Sequence, residues 1–314
     1  MTSAVVFAYH NVGVACLSVL LRHGVDIKLV VTHHDSPGEN IWFGSVAELA
    51  AANNIPVVMP DDPNTPEFIA QVAALKADFL FSFYYRMMLK PALLATVSRG
   101  AYNMHGSLLP KYRGRVPINW AIIKGEIETG ATLHEMVEKP DAGRIVDQQS
   151  VPILPDDNAL DVFKKVTVAA EATLDRTLPA LIDGSIQMRR QDLSNGSYFG
   201  GRRPEDGVID WRDSAPNIHN LIRAVAPPYP GATTTVVGQA LTVTRSKLAP
   251  PHFQHQNPGM LNVSTERVIA LCGDGRMLRI MEAEVDGQLY NEVMLAARLG
   301  VGIYPLGTEI KGQS

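Results

Sequence analysis

The chain has 314 residues, 46% of them hydrophobic and 19% charged, with a formal net charge of -4. That length sustains a large core with a smaller second domain, and the composition lies far from that of disordered chains. The slightly acidic balance excludes a general attraction to nucleic acid or to anionic membrane surfaces.

Two cysteines, Cys16 and Cys272, lie far apart in apolar surroundings. This suits buried thiols in a reducing compartment better than a disulfide framework or a metal cluster. The opening MTSAVVFAYH enters a strand without a basic leader, so no signal peptide is expected. No apolar run reaches the ~20 residues that a bilayer-spanning helix needs. A cytoplasmic protein without membrane insertion is therefore expected.

AVVFAY at 4–9 is a continuous apolar run, the pattern of a strand buried on both faces. Apolar spacing from Val14 to Leu21 predicts a helix ending near Gly24, and DIKLVVTH a second strand. FGSVAELAAANN reads as a helix, IPVVMP as a short strand, 66–75 as a helix and ADFLFSFYY as another strand. The alternation predicts an α/β domain, Rossmann-like, with a mostly parallel sheet between helices. AYNMH at 101–105 is its fifth strand. ATLHEMVE and GRIVDQQSVPI then read as two longer strands joined by the turn KPDAG. A long helix is expected over about 159–182, with Asp156 or Asp157 as its cap.

SNGSYFGGRRPEDG at 194–207 has the composition of a linker. Beyond it come a helix near 215–224 and the short alternating segments TTTVVG, ALTVTRS, ERVIALCG and MLRIMEAEV. These predict a small β-barrel-like module. The expected domains are 1–200 and 201–314.

Ligands of open parallel sheets bind beyond the carboxyl ends of the strands. Three such ends are polar: His10 and Asn11, Tyr84 to Arg86, and Asn103 to His105. The first strand-to-helix turn, AYHNVGVAC, has one glycine, and no G-x-x-x-x-G-K-[ST] loop exists. Both facts disfavour a dinucleotide or P-loop enzyme. GDG at 273–275 reads as a hairpin turn.

Asn103 and His105 alternate on a strand, so their side chains share a face. The pair could supply an oxyanion donor and a general base, or simply hydrogen-bond loop backbone. Asp141, in the turn after a later strand, could orient His105 and hold its tautomer. Ser107 lacks a G-x-S-x-G setting and reads as a loop hydrogen-bonder. The other histidines (His23, His33, His34, His134, His219, His252, His255) show no metal-ligand spacing beyond the adjacent His33–His34 pair, which reads as a strand end. Arg113 and Arg115 flank Gly114 in what reads as an exposed loop, either to meet a phosphate or carboxylate or to be solvated.

The stretch NMHGSLLPKYRGRVPINW, followed by the D-x-G turn at Asp141, resembles the folate-dependent formyltransferases. FAYHNVG, FSFYYR, KPDAGRIV and IDW with AVAPPYPGA extend the resemblance over almost the whole chain. It implies transfer of a formyl group from 10-formyltetrahydrofolate to a primary amine, without a metal, with a catalytic domain followed by a smaller OB-like one. FAYHNVG, THHDSPGE, FGSVAELAA and FSFYYR are similar to the branch that formylates UDP-4-amino-4-deoxy-L-arabinose in lipid A modification and polymyxin resistance. A separate decarboxylase of the same pathway would then be a partner enzyme. Methionyl-tRNA formyltransferase, or an enzyme for another nucleotide-linked amino sugar, is the alternative. Segment 33–44 carries little of the positive charge a tRNA-binding insertion should have.

The resemblance assigns catalysis to Asn103, His105 and Asp141. It puts the folate along Met87, Met88 and Leu89 and along Val137, Glu138, Lys139 and Pro140, with Arg115 nearby. It puts the nucleotide sugar at His10 and Asn11, with Arg202 and Arg203 at the diphosphate.

Overall fold

The structure, a computed structural model, describes residues 1–35, 40–250 and 257–307. His252, His255 and positions 36–39 of the 33–44 segment lie outside the described residues.

Strand β1 (Ser3–Ala8) is buried at every position, as a strand covered on both faces must be. Helix α1 (His10–Arg22) begins well before the apolar spacing marks it. Its first turn looks polar in sequence, yet Val12 and Gly13 there are buried. A Cβ on Gly13 would lie 2.9 Å from Val46 Cγ2 and 3.1 Å from the Ala8 Cβ, so a bare position lets the helix close down on the strand. His10 and Asn11 therefore belong to a helix rather than to a binding loop.

β2 (Asp26–Val31), α2 (Val46–Ala52), β3 (Val57–Val58), α3 (Pro66–Ala74), β4 (Phe79–Phe83), α4 (Pro91–Leu94) and β5 (Gly100–His105) continue the alternation. Ser45 and Thr65 cap α2 and α3 by accepting from the Glu48 and Phe68 N–H groups. After β6 (Arg113–Gly114) and α5 (Pro117–Ile123), strands β7 (Glu128–Glu135) and β8 (Ile145–Pro152) complete the sheet. Its order is β3-β2-β1-β4-β5-β7-β8. The first five are mutually parallel and only β7 is reversed, pairing antiparallel with both β5 and β8, as expected of a mostly parallel sheet. Phe7, Phe79, Phe81 and Phe83 are fully buried, each stabilising the sheet by roughly 1.5–3 kcal/mol.

The long helix α6 (Ala159–Asp183) is capped by Asn158, not by Asp156 or Asp157. Asn158 Oδ1 accepts from the Asp161 N–H at 3.0 Å, and Asp161 Oδ2 accepts from the Asn158 N–H at 3.1 Å, a reciprocal box. The Asp157 carboxylate is used by the Leu154 N–H instead. Within the stretch read as a linker, β9 (Tyr198–Phe199) pairs in parallel with β6. Arg113 is 8% exposed there, and its Nε finds no hydrogen-bond partner among the described residues, so this arginine is not the exposed loop residue its sequence context suggests.

The chain forms two compact units, 1–117 with 128–152 and 163–200, and 118–127 with 153–162 and 201–314. The second contains α7 (Ala215–Ala224), β10 (Ala232–Val236), β11 (Gln239–Leu248), β12 (Met260–Val263), β13 (Val268–Leu271), β14 (Met277–Val285), β15 (Gln288–Asn291), α8 (Glu292–Leu299) and β16 (Gly302–Pro305). Its antiparallel sheet runs β10-β11-β14-β13-β12-β16, with β15 beside β14. A single bridge from Val236 to Leu306 joins the two ends into an OB-like half-barrel. The GDG sequence is the β13–β14 hairpin, as expected. Sequence reading did not resolve β12, β15, α8 or β16.

Cys16 and Cys272 are both free and buried. Burial pushes both thiols up, that of Cys272 to about 12. Among the described residues no helix is long and apolar enough to cross a membrane, and no cluster of His, Cys, Asp and Glu could hold a metal.

Candidate active site

β5 delivers Asn103 and His105 to one face at its carboxyl end, as period-two alternation requires. Opposite them β7 is in register so that Asn103 faces His134 and His105 faces Thr132. The Thr132 hydroxyl donates to the Ser107 carbonyl at 2.6 Å and accepts from the Leu109 N–H at 3.2 Å. These bonds bend the following loop back over the strand end. Ser107 Oγ donates to the Lys111 carbonyl at 2.7 Å, the loop-bonding role expected of it.

The returning loop brings the Tyr112 carbonyl to His105 Nε2 at 2.8 Å. The ring is 7% exposed, so this contact fixes a proton on Nε2. Nδ1 then lies 3.6 Å from Asp141 Oδ1, within ionic reach but too long for a hydrogen bond. Asp141 therefore does not set the His105 tautomer by itself. The Tyr112 backbone does so, and Asp141 supplies charge.

The same carboxylate oxygen lies 3.5 Å from His134 Nε2, a residue sequence reasoning passed over. His134 is 2% exposed. Its Nδ1 donates to the Glu135 carbonyl at 2.8 Å, which leaves Nε2 to accept from Asn103 Nδ2 at 3.1 Å. The chain of bonds Asn103–His134–Glu135 orients the Asn103 amide with its NH2 toward His134. No spacing rule reveals His134. Its signal is the cross-strand register, which needs the sheet.

Asp141 Oδ2 accepts from the Gly114 N–H at 2.8 Å. Gly114 has φ of +98°, and a Cβ there would lie 2.2 Å from the Phe199 carbonyl oxygen, so only glycine allows the β6–β9 pairing that aims its N–H. Burial pushes the Asp141 carboxyl up, but the positive charge of the His105 and His134 rings in their doubly protonated form, with the Gly114 N–H, outweighs it and holds the group well below the usual carboxylate range. Tyr84, Tyr112, Val116 and Asp141 all adopt left-handed backbone, with φ of 56°, 57°, 46° and 52°. Each costs about 1–3 kcal/mol, and such strain gathers at functional sites.

Asn103, His105 and Asp141 thus come together. The other expected residues do so unevenly. Met87 and Met88 are 38% and 57% exposed, whereas Leu89 is 4% exposed and packs in the core with Phe68 and Leu93. Val137, Glu138, Lys139 and Arg115 are exposed, and Pro140 is half-buried. The His10 ring stacks on Phe43 at 3.9 Å and meets Trp42 and Phe163, while Asn11 Oδ1 accepts from the Gly44 N–H at 2.7 Å. Both support the wall 43–44 of a pocket that Tyr9, His33, Asp35, Phe43 and Met59 help line. Arg202 and Arg203 belong to the other unit. There Arg202 lies over the Trp120 ring at 5.1 Å and donates to the Asp206 carbonyl, and the Arg203 N–H donates to the Asp206 carboxylate.

A half-buried amide donor, two buried imidazoles and an ionised carboxylate at a parallel strand end have the parts needed for acyl-type group transfer without a metal or a side-chain nucleophile. Residues 12–178 match the family model described as formyl transferase, and residues 202–290 match the formyl transferase C-terminal domain. The chain belongs to the formyl transferase family and is a formyltransferase.

It is similar in structure to the N-formyltransferase from Helicobacter canadensis solved with folinic acid and dTDP-3-aminofucose. The TM-score is 0.72 at 22% identity, over 92% of this chain and 100% of that one. WlaRD, a sugar 3N-formyl transferase solved with dTDP and 5-N-formyl-THF, gives 0.69 at 23% identity over 92% and 99%. HypX from Aquifex aeolicus gives 0.64 at 15% identity over 96% of this chain and 48% of that one. At these identities the likeness is one of fold.

Proposed function

We propose that this chain transfers the formyl group of 10-formyltetrahydrofolate to the primary amine of a nucleotide-linked amino sugar, in the cytoplasm. The acceptor in this reading is UDP-4-amino-4-deoxy-L-arabinose, formylated for lipid A modification. The observation that carries the class of reaction is the Asn103–His134–Asp141–His105 cluster in a chain of the formyl transferase family. The nucleotide sugars and folates named for the structural relatives support the acceptor class and the donor. The phrases FAYHNVG and FSFYYR support the particular sugar. Catalysis is assigned to residues 1–200, with 201–314 as the accompanying module.

In this reaction the neutral amine attacks the formyl carbon and a C–N bond forms. The carbonyl oxygen becomes an oxyanion, to which the Asn103 amide donates. A preorganised donor of this kind is worth about 3–4 kcal/mol. The bond from carbon to N10 then breaks. The proton lost by the amine passes through His105, on Nδ1 since Nε2 is held by Tyr112, and ends on N10. The Asp141 carboxylate stabilises the imidazolium in between. Charge and protons balance without a covalent enzyme intermediate.

The test is incubation with 10-formyltetrahydrofolate and UDP-4-amino-4-deoxy-L-arabinose, a dTDP-amino sugar or charged initiator tRNA, with mass detection of the formylated product. Turnover of tRNA alone would overturn the proposal. Turnover of the dTDP-sugar alone would keep the class and reject the acceptor.

A further inference from the structure

One more polar side chain grips the Asp141 turn by its main chain. Gln191 Nε2 donates to the carbonyls of Asp141, at 2.9 Å, and of Gly143, at 2.6 Å. The segment carrying it is fixed in turn, because Arg189 and Ile145 exchange two backbone hydrogen bonds at 2.8 and 2.9 Å. The turn needs such a grip. Asp141 has φ of 52°, a conformation that persists only where surrounding contacts over-determine it. Gly143 approaches β7 so closely that a Cβ there would stand 1.9 Å from the Glu135 carbonyl oxygen.

The other end of the Gln191 amide adds a second observation. Oε1 is buried and has no hydrogen-bond partner among the described residues. A side chain selected for stability alone has no reason to leave a buried acceptor unpaired. Its donor end is what the fold uses.

We propose that Gln191 is a positioning residue for formyl transfer, holding the Asp141 carboxylate between His105 and His134 by fixing the main chain of its turn. The proposal rests on the formyl-transfer reading above. Gln191 touches neither substrate nor folate in this role and acts only through Asp141.

The experiment compares Gln191→Leu, Gln191→Glu, Asp141→Asn and the Gln191→Leu/Asp141→Asn double variant in the full chain. It measures kcat and both KM values, and checks folding by circular dichroism. Folded Gln191→Leu is expected to lose about 10- to 100-fold in kcat, the effect of a misplacement near 1 Å, with KM values little changed. Adding Gln191→Leu to Asp141→Asn is expected to cost less than about threefold more, because the group it acts through is already gone. Gln191→Glu keeps the shape without the amide donor and is expected to match Gln191→Leu, so it decides the matter if the leucine variant does not fold. Wild-type kcat in a folded single variant, or a full multiplicative loss in the double, overturns the proposal. A wild-type chain inactive on every acceptor instead sinks the formyl-transfer reading and this proposal with it, whereas a fully active Asp141→Asn leaves that reading standing and overturns this proposal alone.

Discussion

His134→Leu tests the least expected part of the site. The substitution removes an acceptor for Asn103 Nδ2 at 3.1 Å and a donor to the Glu135 carbonyl at 2.8 Å, around a ring that is 2% exposed. A buried group left without its partner costs about 1–3 kcal/mol. Two such groups set the expected loss of stability at about 2–6 kcal/mol, visible as a lower urea midpoint. The effect on rate comes through Asn103, whose amide loses the contact that orients it. Removing an oxyanion donor outright costs about 10²- to 10³-fold in kcat, and disorienting one is expected to cost at least about 10-fold. The assay is steady-state transfer from 10-formyltetrahydrofolate, with KM for the folate expected to stay within a few-fold. His134→Gln supplies an acceptor at a similar reach and should recover much of the loss. A folded His134→Leu protein with wild-type kcat would refute the argument that this ring orients the amide.

The Asp141 carboxyl is held below the usual carboxylate range, which fixes the sign of its pH dependence. A lowered folded-state pKa contributes stability that is present above the unfolded value of about 4 and is lost as pH falls below it. Asp141→Asn should therefore flatten the loss of stability on acidification below about pH 4. It should also cut kcat at neutral pH, whereas an unchanged acid slope in urea unfolding would contradict the burial and pairing described. Ser107→Ala should leave kcat within about threefold and cost about 1 kcal/mol of stability, since the hydroxyl bonds the Lys111 carbonyl. Intact-mass detection of a formylated enzyme that disappears in this variant would show a covalent route instead.

Asn103 and His105 were legible in sequence because a strand's period of two puts them on one face wherever the strand lies, and a polar strand end marks a site in an open sheet. Asp141 was legible as a turn carboxylate. What stayed hidden depends on register and on long-range pairing. His134 meets Asn103 only because β7 pairs with β5 in one register, and a slip of one residue would turn it to the opposite face. Arg113 looks solvated until Tyr198–Phe199, some eighty residues later, pairs with it. His10 and Asn11 look like loop residues until a bare Gly13 lets the helix start early against β1.

These misses share a direction. Sequence neighbours suggest one environment for each residue, whereas a distant segment supplies the actual one. The 189–199 stretch shows the consequence most clearly. Its second half opens the Gly- and Ser-rich segment 194–207 that reads as a linker, yet there the Ser197 hydroxyl accepts from the Tyr112 N–H and Phe199 pairs beside Gly114, and Gln191 just before it holds the Asp141 carbonyl. Tyr112 and Gly114 are the two backbone partners of His105 and Asp141. A segment composed like a connector thus sets the geometry of the proton-handling pair. Its small residues are better explained by how closely the chains must approach, as at Gly196, where a Cβ would stand 2.6 Å from the Pro110 carbonyl oxygen, than by any need to bend.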